Sequence, residues 1–221
     1  MIQLVAFLGN FGKEYSDTRH NAAWLFESSL AFSDKIDWQK KFKSDFAAVD
    51  FFTAALWLKN CGLIKERKDG SLPVPDNAPS KLYFMKPLTY MNLSGDAIGE
   101  AARFYKIPAQ DILVVHDEIE LPIGTVSLKF GGGLGGHNGL RSAKAVLGTA
   151  DFFRLRFGVG KPADGNIADY VLGSFTPDEK IILSQIFVQA ANLFAKVLTC
   201  KDANTLIPEW GKRKLLASNG K

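Results

Sequence analysis

The chain has 221 residues, 47% apolar and 23% charged, and its 27 Lys plus Arg against 23 Asp plus Glu give a net charge of +4. That composition excludes wholesale disorder and suits one α/β-sized domain or two small ones; a chain this long buries roughly 70% of its unfolded surface and folds without disulfide or metal. Two cysteines, Cys61 and Cys200, exclude a disulfide scaffold or a multi-cysteine zinc site, and the mild basic bias permits a phosphate-bearing partner without demanding one.

In chain order, residues 2–8 form a short apolar run that breaks at Gly9-Asn10, as a buried strand does. Residues 21–32 predict a helix. Residues 46–58, rich in Phe, Val and Thr, predict two strands or one long one. Residues 59–80 are polar, with a turn signal at Asp69-Gly70 and three prolines, and predict an exposed excursion or hairpin tip. A strand at 82–85 ends at Lys86-Pro87. A helix follows at 93–105, with Ala97, Ile98, Ala101, Ala102 and Tyr105 on one face and Pro108 beyond its end. Strands are expected at 112–115 and 125–130, a helix at 139–147 and a strand at 155–159. Thr176 and Glu179 read as a capping box with Pro177 at the first helical position, and Leu183, Ile186, Phe187, Ala190, Leu193, Phe194 and Val197 keep the helical period.

This alternation predicts a single α/β domain over residues 1–200, with a twisted, mostly parallel (mixed) sheet and helices on both faces. Residues 201–221 are expected as a mobile basic tail. The start of the chain lacks a signal-peptide pattern, and no apolar run is read as approaching the ~20 residues of a membrane span. The expected location is therefore cytoplasmic, with no membrane partner.

The chemistry rests on few residues. Three histidines, His20, His116 and His137, are the candidates for an imidazole that titrates near neutral pH. None are paired at a helical metal spacing, so metal is set aside. Asp17-Thr18-Arg19-His20-Asn21 reads plainly as a helix start with Asp17, Thr18 or Asn21 as cap; functionally, His20 reads as a general base. Asp117, in His116-Asp117-Glu118 straight after a strand, is the carboxylate that would brace it, or else merely solvates a loop. His116 alternates with apolar strand residues and reads as structural. With no Gly-x-Ser-x-Gly and no cysteine motif, water is the expected attacker, on a reactive carbonyl such as an ester. Asn10, Asn92 and Asn138 sit at element junctions, where an amide can cap a helix or hold a carbonyl.

Gly131, Gly133 and Gly136 match Gly-x-Gly-x-x-Gly between a strand and a helix, which raises a dinucleotide site. The unit lies in mid-chain, however, and no acidic residue ends the next strand. What remains is a loop feeding a helix N-terminus. Lys129, Arg154 and Arg156 bracket it and could grip a phosphate or simply form a solvated face.

Five co-linear motifs resemble the bacterial peptidyl-tRNA hydrolase family: Leu8-Gly9-Asn10 with Tyr15 and Thr18-Arg19-His20-Asn21; Lys86-Pro87 with Thr89-Tyr90-Met91-Asn92-Leu93-Ser94-Gly95; His116-Asp117-Glu118 with Leu121-Pro122 and Gly124; Gly135-Gly136-His137-Asn138-Gly139-Leu140; and Arg154-Leu155-Arg156-Phe157-Gly158-Val159-Gly160. The resemblance implies a monomeric esterase that cleaves peptide from the tRNA 3′ end, with no cofactor or metal, so that tRNA is recycled from stalled translation. It leaves any ribosome association open. It implies His20 as the base that activates water and Asp117 as the carboxylate that keeps it basic. Asn10 is implied to separate blocked from free aminoacyl-tRNA, Tyr15, Tyr90, Asn92 and Asn138 to bind the tRNA end and peptide backbone, and Lys129 with Arg156 to clamp the tRNA 5′-phosphate. The chain departs from the family pattern at Phe11, where the family has proline, and at Ala23, where it has glycine. Without that proline's fixed φ, the loop bearing Asn10 is expected to be freer. A nucleotide-cofactor enzyme and a non-catalytic RNA-binding protein are the alternatives that the residues themselves leave.

Overall fold

The computed structural model describes residues 1–162 and 165–214. Among the described residues eight strands form one mixed sheet: β1 (Leu4–Phe7), β2 (Gln39–Lys41), β3 (Ser44–Asp50), β4 (Lys81–Pro87), β5 (Ile112–Glu118), β6 (Thr125–Phe130), β7 (Phe153–Gly158) and β8 (Arg213–Lys214). Their order is β2-β3-β4-β1-β5-β7-β6-β8. The central strands β4-β1-β5-β7 are parallel, and β3 and β6 add to them antiparallel, each carrying a further antiparallel edge strand.

Strand β1 shows why the apolar run at the start has no polar alternation: helices cover both faces of the sheet, so every residue is buried. Val5 and Phe7 join a core with α1 (Ala22–Ser29), α2 (Phe51–Asn60) and α6 (Pro177–Thr199). Leu4, Ala6 and Leu8 join a second core with α3 (Ser94–Tyr105) and α4 (Asn138–Leu147). Two shorter helices, α5 (Ile167–Leu172) and α7 (Ile207–Trp210), complete the set. Because the central strands are parallel, the loops after β1, β4 and β5 open on one edge, the usual ligand edge of an open α/β sheet.

Several expectations change. The β-prone stretch 46–58 is only half strand. Asp50 Oδ1 accepts the amides of Phe52 and Thr53 at 3.0 and 3.2 Å, and this cap turns the chain into α2. Residues 59–80 are not a hairpin tip: α2 takes the first two, and the remainder is a string of turns that tucks Leu72 inside. Residues 201–214 are not a free tail, because a 3-10 turn (Ala203–Leu206), α7 and β8 fold back onto β6 and bury Trp210; 215–221 lie outside the described residues. Helix α6 is long and apolar enough to cross a membrane by length and composition, contrary to the sequence reading. Of its most apolar stretch, 56% is buried, with Leu183, Ile186, Phe187 and Leu193 in the core.

Two glycines set how closely α4 approaches α3 and the 3-10 turn that precedes it. A Cβ on Gly95 would lie 2.1 Å from the Ser142 carbonyl oxygen, and one on Gly139 would lie 2.7 Å from Met91 Sδ. Backbone cannot retreat as a flexible side-chain end does. Gly95→Ala is therefore expected to destabilise the fold by about 1–3 kcal/mol, read as a lower urea midpoint. An unchanged midpoint would contradict this account of the α3–α4 contact.

Candidate active site

The carboxyl edge holds a cleft of about 600 Å³ whose lining includes Asn10, Tyr15, His20, Tyr90, Asn92, Asp117, His137 and Asn138. Its centre is Asp117 Oδ1, which is 2.8 Å from His20 Nδ1 and 3.0 Å from His137 Nε2. Asp117 is the sixth residue of β5 rather than a loop residue, and it is 2% exposed. The strand therefore fixes the carboxylate, and its neighbours cannot be exchanged for water.

The partners of each ring define its tautomer. His137 is the N-cap of α4, and its Nδ1 accepts the amides of Gly139 and Leu140 at 3.1 and 3.4 Å. An accepting Nδ1 carries no proton, so the Nε2–H of His137 donates to Asp117. His20 donates Nδ1–H to the same oxygen. Its Nε2 then holds a free lone pair at the cleft, the atom a general base uses. His116, fully buried, donates Nδ1–H to the Asp117 carbonyl at 2.6 Å. Burial pushes its pKa well below the ordinary value, and it stays neutral.

Burial would lower the pKa of His20, but the charge and hydrogen bond of Asp117 outweigh it and hold the imidazole above its usual 6.5. Burial would raise Asp117; His20 and His137 overcome this and keep its carboxyl far below the carboxylate range. The carboxylate thus stays ionised beside a ring that becomes cationic when it takes a proton.

The three groups form a potential ligand set, since His20, Asp117 and His137 offer atoms within 4.8 Å of one another. Sequence spacing gave no hint of this, because they come from three separate elements. Both imidazole contacts lie at hydrogen-bond length and each has one proton to share. A metal ion would need contacts of about 2.0–2.2 Å and would replace both hydrogen bonds.

Asn10 is held more firmly than the missing proline suggests. Its N–H donates to Asn21 Oδ1 at 2.8 Å and its carbonyl accepts Asn21 Nδ2 at 2.9 Å, a two-point clamp on the backbone. Asn21 sits at the start of α1 yet caps nothing with its side chain. Asn10 Oδ1 accepts the amide of Met91 at 2.8 Å, which ties the loop after β1 to the loop after β4. Its Nδ2 is the remaining donor. Because His137 caps α4, the Asn138 side chain is left to the cleft, as is Asn92 in the 3-10 turn Met91–Leu93.

The far wall is α5, absent from the sequence reading, which contributes Ile167, Val171 and Leu172. Arg19 anchors the α5 segment. Its guanidinium donates to the carbonyls of Gly173 and Ser174, pairs with both oxygens of Glu179 at 2.8–3.0 Å, and lies 4.4 Å from the Tyr170 ring centroid.

Lys129 and Arg156 do not line this cleft with the other candidates. They lie on β6 and β7, where Lys129 faces Arg154 and Ser127 faces Arg156 across the pair. Arg156 donates to Glu118 Oε2 at 3.4 Å and Ser127 Oγ at 2.7 Å. Arg154 is 1% exposed and binds the carbonyls of Gly131, Gly132 and Gly133. It holds the glycine loop from inside, so the loop is a braced turn rather than a dinucleotide cradle. Burial and the nearby charges of Arg154 and Arg156 lower the pKa of Lys129, the mark of a cationic cluster.

Fold and cleft together define a class: an α/β protein whose titratable groups gather at the carboxyl edge of a mixed sheet. Comparison with known proteins narrows it. The model of the family described as "Peptidyl-tRNA hydrolase" matches residues 4–215. A peptidyl-tRNA hydrolase of Treponema pallidum is 42% identical over 220 residues, 98% of each chain. One from Desulfitobacterium hafniense is 42% identical over 88% of this chain and 94% of its own. The crystal structure of peptidyl-tRNA hydrolase from Acinetobacter baumannii superposes with a TM-score of 0.72 at 29% identity, covering 94% of this chain and 91% of that one. With nearly its whole length matched, the chain belongs to the peptidyl-tRNA hydrolase family.

The raised pKa of His20 carries a sign for catalysis. The base form appears only as pH climbs through that raised value, so kcat/KM should rise with a midpoint above 6.5. Asp117→Asn removes the charge that opposes burial. Its midpoint should fall below 6.5 and its plateau drop by about 10²–10⁴-fold. A pH–rate profile of both proteins checks this, and a variant midpoint at or above the wild-type value would contradict it.

Proposed function

We propose that this protein hydrolyses the ester joining a peptide, or an N-blocked aminoacyl group, to the 3′ end of tRNA. The reading is supported by the family and by one observation above others: His20 has its Nδ1 committed to Asp117 and its Nε2 free at the cleft.

The chemistry follows from that atom. His20 Nε2 takes a proton from water as the water oxygen bonds to the ester carbonyl. The resulting imidazolium is stabilised by Asp117. Collapse of the tetrahedral intermediate breaks the bond to the ribose oxygen, and Nε2 returns the proton to that oxygen. No acyl-enzyme is formed, which suits an activated ester and a site without a Ser or Cys nucleophile.

Asn10 Nδ2, with Oδ1 held by Met91, donates to the first carbonyl on the peptide side. Free aminoacyl-tRNA has an ammonium group there instead and offers that donor nothing to bind. Tyr15, Tyr90, Asn92 and Asn138 hold the tRNA end and the peptide backbone. Lys129 and Arg156 hold the 5′-phosphate; an anion there offsets the repulsion among Lys129, Arg154 and Arg156. The protein acts as a cytoplasmic monomer on tRNA released from stalled translation.

The test is discharge of N-acetylaminoacyl-tRNA with and without chelator. His20→Ala should lose nearly all turnover while keeping its unfolding midpoint, and chelator should leave the wild type unaffected. Lys129→Ala should raise KM, and less so on substrate lacking the 5′-phosphate. A His20→Ala protein that retains most activity, or a Lys129→Ala effect equal on both substrates, would refute the corresponding role.

A further inference from the structure

Phe11 stands where the sequence departs from its family, and the structure gives it a place. Phe11 is 38% exposed and Tyr90 50% exposed, two large aromatic residues open to solvent. Their ring centroids are 4.9 Å apart with the planes inclined at 31°. The pairing follows from the hydrogen bond between Asn10 Oδ1 and the Met91 amide. Each ring belongs to the residue next to one end of that bond, so the bond that positions Asn10 also brings the two rings together. Gly12, with φ +114°, follows Phe11 in a conformation that favours glycine.

The order of the sheet says which part of the substrate passes this spot. Along β4-β1-β5-β7-β6, the cationic cluster of Lys129, Arg154 and Arg156 lies on β6 and β7, to one side of Asp117 on β5. Phe11 and Tyr90 follow β1 and β4, on the other side. If the 5′-phosphate is held at β6 and β7 and the ester lies at His20, the RNA occupies the first side. The acyl chain then leaves over the second, past Asn10. Exposed aromatic carbon beside the exit path is suited to an apolar surface rather than to backbone polar groups.

We propose that Phe11 and Tyr90 form an apolar subsite for a side chain of the departing peptide, at the residue preceding the one esterified to tRNA, and that this chain accordingly prefers bulky apolar residues there. The inference rests on the hydrolase reading above and adds to it a sequence preference that backbone contacts alone do not produce. Phe11 is the specificity-determining residue, because its ring supplies the second apolar surface beside Tyr90.

The experiment uses the full chain and three N-acetyl-dipeptidyl-tRNAs that share tRNA and esterified residue and differ only in the preceding residue, Gly, Leu or Phe. Wild-type kcat/KM should favour Leu and Phe over Gly by about three- to tenfold. In Phe11→Ala that ratio should collapse toward one, and in Phe11→Tyr it should be kept. A structural role for Phe11 would lower all three rates together and leave the ratio alone. A wild-type ratio of one, or a ratio unchanged in Phe11→Ala, would overturn the subsite while cleavage itself upholds the hydrolase reading. No cleavage of any of the three by wild type would overturn that reading and the subsite with it. The same dipeptides esterified to adenosine and to a ribose without a base form a further arm. If the Phe11→Ala loss vanishes only when the base is absent, the rings hold a nucleobase and the proposal is overturned.

Discussion

One carboxylate oxygen organises the reactive edge of this protein. Asp117 Oδ1 receives N–H from two imidazoles, and the two do different jobs. The second, His137, is locked by the start of α4: its Nδ1 accepts two helix amides, so its Nε2–H must point at the carboxylate. The first, His20, has only the carboxylate to hold it, and its other nitrogen is left for water. A helix N-terminus thereby sets the tautomer of one ring, which helps fix the carboxylate that orients the other.

The same economy appears in the loop after β1. The side chain of Asn21, adjacent to His20, grips the backbone of Asn10 at both its N–H and its carbonyl, and Arg19 on the other side of His20 grips the segment that carries α5. Three consecutive residues thus place the His20 imidazole, the Asn10 amide and the opposite wall of the cleft. A proline at position 11 would restrict one φ angle; the paired amide bonds restrict the same loop by other means. That leaves position 11 free to carry a side chain with its own use.

Much of the fold was legible where one signal dominated. The capping box at Thr176 and Glu179 and the apolar period behind it mark α6, and the small-residue face of 97–102 marks α3. The misread stretch 46–58 held two signals in conflict: β-prone Phe, Val and Thr, and the helical spacing of Phe51, Ala54, Ala55 and Leu58 after a capping Asp50. Tertiary packing gave the second half to the helix. Helix α5 has six residues and too little periodicity to notice, and β8 exists through its pairing with β6. In the cleft, Asn10 and Asp117 could be singled out because each closes an apolar run, and His20 because the chain has only three histidines. His137 hid inside a glycine-rich loop, and its capping role, contact with Asp117 and tautomer depend on distances that no local spacing encodes. Arg156 looked like a free cation in the sequence, and its engagement by Glu118 and Ser127 emerges only when β5, β6 and β7 are side by side.

The central claim is that His20 presents an unprotonated Nε2 because its Nδ1 proton is given to Asp117. Nitrogen-15 NMR of the histidine side chains, recorded above the His20 pKa, reads this directly. The account predicts a protonated Nδ1 and a bare Nε2 for His20, with the opposite tautomer for His137. A His20 signal with the proton on Nε2 would leave no base facing the cleft and would contradict the account.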